Sequence, residues 1–447
     1  MHRVDWRRSC RALSVSSSPA RGHEPLHGPP FSPRRGPNAR RWCARAATFA
    51  AILLSWEPAG GLVERFAFVR DLLRSNLPRR SPPGGTYQGL AKALERHGPI
   101  LIGTVKTHLR TRIVALAGER MRCRGHAAFA ADGSRYDAPR TVANERTLGF
   151  CGRGNSHPQV CVTTLWHMGT ALPWDWRVGR AGEPERTHLL AMQSELPVGA
   201  LVVADAGFTG YELLKRLHES GRFFLIRVGR HTTLIKNLGC AIERKNSNVL
   251  WLWPEQKQRT APLAVRRIKV GTGAKAVWLI TNHLDPERLS DTDAGVLYQM
   301  RWGVEVFHRH SKQTLEHRRL ASASPRRALL EMEWIMVGLL LLGLLAAREL
   351  LARGHDPLAL SMAAALRAVR RVQHRPELRQ SPGALRRVLG RCVKDQYIRT
   401  NKKTSRPWPR KKKCKPPGRP AVRPATPAER RRARTFQPAQ HQWSSRR

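Results

Sequence analysis

Residues 298–312 read YQMRWGVEVFHRHSK and combine one carboxylate with cations at helical spacing. The pattern is Tyr-x2-Arg-x3-Glu-x6-Lys, formed by Tyr298, Arg301, Glu305 and Lys312. On a single α-helix turning ~100° per residue, these side chains would project within an arc of roughly 60°. Arg301, four residues before Glu305, would keep that carboxylate ionised. Such a face suits a metal ion held against a nucleic acid backbone, but the segment alone favours an ordinary amphipathic helix with solvated charges.

The composition of the chain indicates a polyanionic partner. Its 447 residues are enough for two or three domains and a substantial core. Lys and Arg number 80 against 32 acidic residues, which gives a formal charge of +48. Nucleic acid is the first candidate partner, an anionic membrane surface the second, and a ribosomal or packaging role the third. Basicity alone does not indicate what is done to the partner.

The cysteines and the apolar runs bear on the compartment of the protein. The eight cysteines form no CxxC pair and no zinc-finger spacing, so we predict no disulfide framework and a reducing cytoplasm. The longest apolar run, residues 335–347, is 13 residues long. A membrane span needs about 20 residues. The sequence therefore predicts a buried core helix and no membrane segment.

The two ends of the chain differ in composition from its middle. Residues 1–45 are rich in Arg, Ser, Pro and Gly, and we expect a disordered basic lead, a transit peptide or sequence upstream of the true start. Residues 46–120 predict a helical N-terminal region that is either DNA-binding or a plain packing domain. Residues 356–447 predict a basic helical segment and a disordered tail, with RKKKCK at 410–415 binding polyanions nonspecifically.

The middle of the chain has an α/β texture over residues 121–228. HAAFAAD ends at Asp132, where Asp-Gly is a turn signal, and the continuous apolar strand ALVVAD ends at Asp205. Further strands are predicted at 161–168, 172–178 and 222–228, and helices at 183–196 and 211–220. Residues 229–285 carry strand signals at 248–253, 263–270 and 276–281. We interpret them as a β insertion before the α/β pattern resumes over 286–355.

Three carboxylates stand out from this pattern: Asp132 and Asp205 at strand ends and Glu305 on a helix. Phosphodiester chemistry with two divalent ions needs such a cluster, because one ion activates the attacking oxygen and the other stabilises the leaving oxygen. Hard oxygen ligands select Mg²⁺ or Mn²⁺. Acids at strand ends are common turn formers, however. The competing acids are Asp137, Asp175, Asp285 and Glu316.

Four blocks in order resemble the DDE transposases of the insertion-sequence four family. The 298–312 pattern matches the signature of that family. ADGSRYDAPRTVANERTLG at 131–149 and LVVADAGFTGYELLKRLHESGRFFLIRV at 201–228 resemble the segments that hold its first and second catalytic Asp. WLITNHLDPERL at 278–289 resembles the strand and loop before the signature helix. The resemblance covers roughly residues 120–345.

The resemblance implies a fold and an activity. The fold is α/β, a ribonuclease-H-like catalytic core interrupted by a β insertion. The activity is cut-and-paste DNA transposition, with metal-dependent cleavage at the transposon ends followed by strand transfer. The partner would be double-stranded DNA, both the terminal inverted repeats and the target, bound by a homodimer assembled on two ends.

The resemblance also implies roles for individual residues. Asp132, Asp205 and Glu305 would be the catalytic ligands of two ions, Mg²⁺ or Mn²⁺. The phosphates of the transposon end would be contacted by Tyr298, Arg301 and Lys312. Trp278 would stack on a base flipped out of the cleaved end. Its position in a strand by itself favours a core or cross-strand aromatic, and its competitors for the stacking role are Trp251, Trp253 and, as the closest rival, Trp302.

Three alternatives remain open from the sequence. The first is a metal-dependent nuclease or resolvase on the same core, which would cleave without strand transfer. The second is a basic DNA-packaging or DNA-binding protein, for which the tail alone would suffice. The third is a domesticated or decayed transposase that no longer acts.

Overall fold

The computed structural model describes residues 42–58, 60–78, 83–152, 157–229, 241–242, 248–273, 276–395 and 418–436. These residues form two compact units. The helical unit takes its described residues from Met1–Arg112, Asp137–Thr147 and His310–Lys394. The sheet unit takes them from Ile113–Tyr136, Leu148–Arg309 and Asp395–Arg447. The predicted basic lead falls mainly on residues 1–41, which lie outside the described part of the chain.

The described helices and strands follow one another in an order close to that expected from the sequence. The helices are α1 Ala44–Trp56, α2 Leu62–Asn76, α3 Tyr87–Ala117, α4 Val142–Leu148, α5 Glu185–Met192, α6 Tyr211–Glu219, α7 Asp291–Met300, α8 Trp302–Arg309, α9 Pro325–Leu351, α10 Met362–His374, α11 Pro376–Gln380, α12 Ala384–Leu389 and α13 Pro427–Thr435. The strands are β1 Ala128–Asp137, β2 Gln159–His167, β3 Leu172–Arg180, β4 Leu201–Ala204, β5 Phe223–Val228, β6 Ala241–Ile242, β7 Val249–Leu252, β8 Leu263–Val270 and β9 Val277–Thr281.

The core of the helical unit is built on α9. This helix is long and apolar enough to cross a membrane by length and composition, but 67% of its most apolar window is buried. The Trp56 indole Nε1 donates a 3.0 Å hydrogen bond to the Gly338 carbonyl, which fixes α1 against α9. A Cβ on Gly338 would overlap Ser55, so glycine permits this close approach. The predicted core helix is therefore present, and it extends beyond residues 335–347 at both ends.

The sheet unit is built on one nine-stranded sheet with the order β3-β2-β1-β4-β5-β9-β8-β7-β6. β4 pairs in parallel with β1 and with β5, whereas β2 and β3 form an antiparallel hairpin. The four residues of β4, LVVA, are all buried, as expected of a strand covered on both faces. The order 3-2-1-4-5 with these directions is the predicted ribonuclease-H-like core, and the α/β fold class is confirmed.

The strands between β5 and α7 continue the same sheet. β9 pairs antiparallel with β5, and β8 and β7 follow in antiparallel order. The sequence predicts three strands here, and they match β7, β8 and β9 to within a residue or two. What the sequence does not show is that these strands extend the core sheet instead of forming a layer of their own.

Two local predictions are wrong. Asp132 does not end a strand, because β1 runs on through Gly133 to Asp137. A Cβ on Gly133 would overlap the Glu185 carboxyl, so the glycine provides room for a neighbour instead of a turn. The signature stretch is also not one regular helix. Arg301 separates α7 from α8, and a π-helical turn, His310–Thr314, follows α8, so a uniform 100° step does not reach Lys312.

Part of the C-terminal region is folded, in contrast to the predicted disordered tail. α13 begins at Thr426 with a capping box, in which Thr426 and Glu429 each accept from the other's backbone N–H. Ala425 and Ala433 pack in a buried cluster with Trp251 and Trp253 of the sheet unit. The RKKKCK run lies outside the described residues.

Candidate active site

Asp132 and Asp205 occupy equivalent positions on adjacent parallel strands. Ala131 of β1 pairs with Ala204 of β4, and each aspartate is the next residue. Neighbouring strands lie about 4.8 Å apart, and this register points both side chains to the same face. Asp205 also accepts a 2.9 Å hydrogen bond from the Gly207 N–H through Oδ1, which holds its carboxylate at the end of β4.

Glu305 belongs to the same electrostatic environment. The pKa of Asp132 is raised to about 7, first by burial and then by the negative charges of Glu305 and Asp205, although Arg301 and a hydrogen bond from the Gly133 N–H lower it. The pKa of a carboxyl rises this far when the group is partly buried and other carboxylates lie nearby. Glu305 and Asp205 therefore both lie close enough to Asp132 for their charges to act on its carboxyl.

Arg301 forms the ion pair predicted from its spacing. Its Nη2 donates to Glu305 Oε1 at 2.7 Å, and Arg301 is only 8% exposed. Burial lowers the pKa of Arg301, but the hydrogen bond to Glu305 and the nearby groups of Tyr298, Glu305 and Asp132 together outweigh it, so the net direction is upward. Its guanidinium carbon also lies 5.4 Å from the centre of the half-buried Tyr298 ring. In the described part of the chain, Nε and Nη1 of Arg301 have no hydrogen-bond partner.

α8 is held against the sheet by close packing, which positions Glu305. A Cβ on Gly303 would overlap the ring of Trp166, a β2 residue that is 6% exposed. Val304 and Phe307 are buried on the same helix. Only glycine therefore lets α8 approach this near to β2.

Glu185 is a neighbour of the site that the sequence did not reveal. It lies in the first turn of α5 beside Gly133, and Arg135 is 3.8 Å from its carboxylate. Burial raises the pKa of Glu185, Arg135 lowers it, and the charge of Asp205 raises it. The only sequence signal was Gly133 itself, which was interpreted as a turn residue.

Two further predicted residues lie on other elements of the chain. Lys312 is half-buried in the π-helical turn and belongs to the helical unit. Trp278 is half-buried on β9 of the sheet unit. Of its competitors, Trp251 and Trp253 are core residues, whereas Trp302 is 53% exposed.

The competing acids have local roles of their own. Asp175 is buried and accepts a 2.8 Å hydrogen bond from the Trp176 N–H. Asp285 accepts from the Glu287 N–H at 2.8 Å and lies 3.6 Å from Arg288. Asp137 ends β1, and Glu316 adopts a positive φ of 61°. The acids that act on the pKa of Asp132 are Glu305 and Asp205 instead.

The chemistry of the three acids fits a divalent cation. Their oxygens are hard ligands, and their mutual repulsion at Asp132 is the kind that a bound cation relieves. Among the described residues, no three His, Cys, Asp or Glu side chains are already drawn together into a metal cage. The fit therefore rests on donor type and charge.

Comparison with known proteins agrees with this geometry. Residues 124–341 match the sequence family described as "Transposase DDE domain". These residues form a transposase DDE domain. The domain includes all three acids, and the chain therefore carries the catalytic domain of a DNA transposase, an enzyme class that uses divalent metal ions.

Other comparisons add less. No curated protein sequence matches the chain at a significant level. Among solved structures, one match is the cryo-EM structure of the piggyBac transposase synaptic complex with hairpin DNA, at 13% identity and a TM-score of 0.40. The match covers 80% of this chain and 78% of the other. The fold assignment of the transposase DDE domain therefore rests on its strand order.

Proposed function

We propose that the chain is a cut-and-paste DNA transposase of the insertion-sequence four type. It would cleave DNA at transposon ends and join the freed ends to target DNA. The observation that supports this proposal is the placement of Asp132 and Asp205 side by side on a ribonuclease-H-like sheet, with the charge of Glu305 acting on Asp132.

In this proposal the three carboxylates are the metal ligands. Two bound Mg²⁺ or Mn²⁺ ions would supply activation of the attacking oxygen and stabilisation of the leaving oxygen. Arg301 orients the Glu305 carboxylate through their 2.7 Å contact. Asp132, whose pKa is raised to about 7, gives up its proton when a cation is bound.

Other residues of the proposal act on the DNA. Tyr298, Arg301 and Lys312 contact phosphates at the transposon end, and Trp278 offers its half-exposed ring to a base removed from the stack. The substrates are double-stranded terminal inverted repeats and target DNA in the cytoplasm of a bacterium. A homodimer assembled on two ends completes the arrangement.

The test is cleavage of DNA that carries both flanks of the gene. We expect Mg²⁺-dependent cleavage by the wild type, and its loss in Asp132→Asn, Asp205→Asn and Glu305→Gln with DNA binding retained. Asp285→Asn is the matched control, because Asp285 is exposed and its carboxylate contacts only nearby residues in the described structure; this variant should cleave normally. Near-normal cleavage by any one of the three variants would remove that residue from the site.

Strand transfer separates the proposal from a simple nuclease. A pre-cut end incubated with supercoiled target DNA should be joined to the target by the wild type. Cleavage of the flanking DNA without any joining of the pre-cut end would favour the nuclease. Absence of both activities, with DNA binding intact, would indicate a decayed copy.

A further inference from the structure

Trp278 is surrounded by three cations. The guanidinium carbon of Arg267 lies 5.3 Å from the ring centre, and Lys269 Nζ and the Arg419 guanidinium carbon lie 5.9 Å from it. In the β8–β9 register Lys269 stands directly opposite Trp278. Arg267, two residues before Lys269, points to the same face of the sheet. One side of the β8–β9 pair therefore carries a compact positive cluster around an indole, which we call the Trp278 cluster: Arg267, Lys269, Trp278 and Arg419.

Arg267 is buried without the anion that its charge calls for. It is only 6% exposed, and its Nε and Nη1 have no hydrogen-bond partner among the described residues. Burial lowers the pKa of Arg267, and the positive charge of Arg419 lowers it further. Its neighbour Arg266, equally buried, instead faces Asp291 at 3.6 Å and donates to the Leu289 carbonyl. Because buried charges are normally paired, a bound anion would supply the partner that the Arg267 guanidinium lacks among the described residues.

Arg419 comes from the C-terminal segment, residues 418–436, which is docked on the sheet. The rings of Trp253 and Phe436 meet edge to face at 6.4 Å. Arg432 donates a hydrogen bond to Gln258 at 2.9 Å, and Ala433 is 2% exposed where it packs with Trp251 and Trp253. These contacts fix the segment, so the position of Arg419 over Trp278 depends on them.

We propose that the Trp278 cluster binds a phosphodiester group of the DNA, and that the docked segment 418–436 completes this site. Guanidinium groups suit phosphate because their planar fork donates two parallel hydrogen bonds. An anion between Arg267 and Arg419 would satisfy the unpaired Nε and Nη1 and relieve the repulsion between the two arginines. The choice of DNA as the source of the phosphate rests on the proposed function. The C-terminal segment is then part of the DNA surface of the sheet unit.

The first test changes the docking of the segment without removing positive charge. Ala433→Arg places a long side chain in the buried cluster, whereas Ala428→Arg adds the same charge at an exposed position of the same helix. Binding of a fluorescein-labelled DNA duplex to the full chain is followed by anisotropy in EDTA.

We expect about tenfold weaker binding for Ala433→Arg. The magnitude of its log–log salt slope should fall by about 0.9. Ala428→Arg should bind at least as tightly as the wild type. Equal affinities of the two variants would overturn the proposal.

A second pair of variants keeps the test decisive if Ala433→Arg folds poorly. Arg419→Gln should reduce the salt slope, and Arg431→Gln, an exposed residue of the same segment, should leave it near the wild-type value. Arg419→Lys should recover part of the loss. Equal slopes for the two glutamine variants would contradict the site. Replacing chloride by inorganic phosphate at constant ionic strength should reduce the difference between them, because free phosphate competes for the same guanidinium groups; an unchanged difference would contradict a phosphate site.

The assay needs no cleavage, so its outcome is independent of catalysis. A wild type that binds DNA through this cluster but never cleaves would argue against the proposed function alone. A wild type that cleaves, with Arg419→Gln and Arg431→Gln indistinguishable in binding, would argue against this site alone.

Discussion

At the scale of single residues, the position of Asp132 is the most informative. Its carboxyl is partly desolvated and faces the charges of Glu305 and Asp205, which together raise its pKa to about 7. Without a cation, ionising Asp132 therefore costs free energy in the folded state. At neutral pH the empty site therefore destabilises the fold more than the same carboxylates would at an exposed position. Such a cost is expected at a site that binds a cation.

This cost can be measured as a pH-dependent difference in stability. Because the folded pKa lies above the ordinary value of 3.8, the folded state binds more protons than the unfolded state, and wild-type stability falls as pH rises from about 4 to about 7. Asp132→Asn removes this loss. We expect its free energy of unfolding in EDTA to exceed that of the wild type by on the order of 2 kcal/mol above pH 7. The excess should shrink towards pH 4, and thermal unfolding across this range measures it.

A pH-independent difference between Asp132→Asn and the wild type would contradict this account of the carboxyl. Lower stability of the variant at pH 8 would contradict it more strongly. The same variant is expected to be inactive, so activity and stability should change in opposite directions at this residue.

The sequence singled out three acids as candidates, but it did not place all of them correctly in the fold. Asp205 follows a continuous apolar strand, and Glu305 carries an arginine four residues earlier, so both were recognisable from local pattern. Asp132 was found from the same blocks but was assigned to a turn, because Asp-Gly is a common turn signal. The physical reason for Gly133, room for the Glu185 carboxyl, depends on a residue 52 positions away and is not visible locally.

At the scale of elements, the seating of α8 on β2 determines where Glu305 stands. Gly303→Ala would force a Cβ into the ring of the buried Trp166, so α8 must shift. Overpacking of this kind typically costs about 1–3 kcal/mol. We expect Gly303→Ala to lower the melting temperature and to reduce cleavage at saturating DNA, with DNA affinity largely kept.

Gly103→Ala is the matched control for this prediction. Gly103 is an exposed residue inside α3, and a Cβ there would meet nothing within 4 Å. That substitution should be neutral or stabilise by up to about 1 kcal/mol, because alanine is the better helix former. If Gly303→Ala were as well tolerated as Gly103→Ala, the contact with Trp166 would not position the helix.

Elements were predictable where their periodicity is local. The run LAVRRIKV gave β8 to the residue, and the other strands of the insertion agree closely. The pairing of β9 with β5 was not predictable, because strand order depends on contacts between segments distant in sequence. The division of the signature stretch at Arg301 and its π-helical end are set by packing and were likewise not visible.

At the scale of the whole molecule, the C-terminal region contributes both to the charge of +48 and to the folded sheet unit. Much of the basic tail lies outside the described residues, but 418–436 covers Trp251 and Trp253, which are 6% and 3% exposed. A chain ending at residue 395 would expose both indoles. We expect it to show a lower melting temperature, red-shifted tryptophan emission and a smaller salt slope in DNA binding.

A chain ending at residue 436 is the control for this truncation. It retains the docked segment and should resemble the full chain in melting temperature and emission. Equal melting temperatures for the two truncated proteins would mean that the segment does not stabilise the sheet unit. Composition predicted the basic tail but not its docking, because the two buried alanines of the segment, Ala425 and Ala433, form no hydrophobic periodicity strong enough to stand out.

The central claim is that Asp132, Asp205 and Glu305 form one site for divalent metal ions. Fe²⁺ bound in place of Mg²⁺, with ascorbate and peroxide, cleaves the nearby polypeptide backbone, and the fragments report which segments surround the ion. We predict cuts close to residues 132, 205 and 305 in the same protein, all suppressed by excess Mg²⁺ and weakened together in Glu305→Gln. Cuts near only one of these positions, or a pattern that Mg²⁺ does not suppress, would contradict a shared metal site.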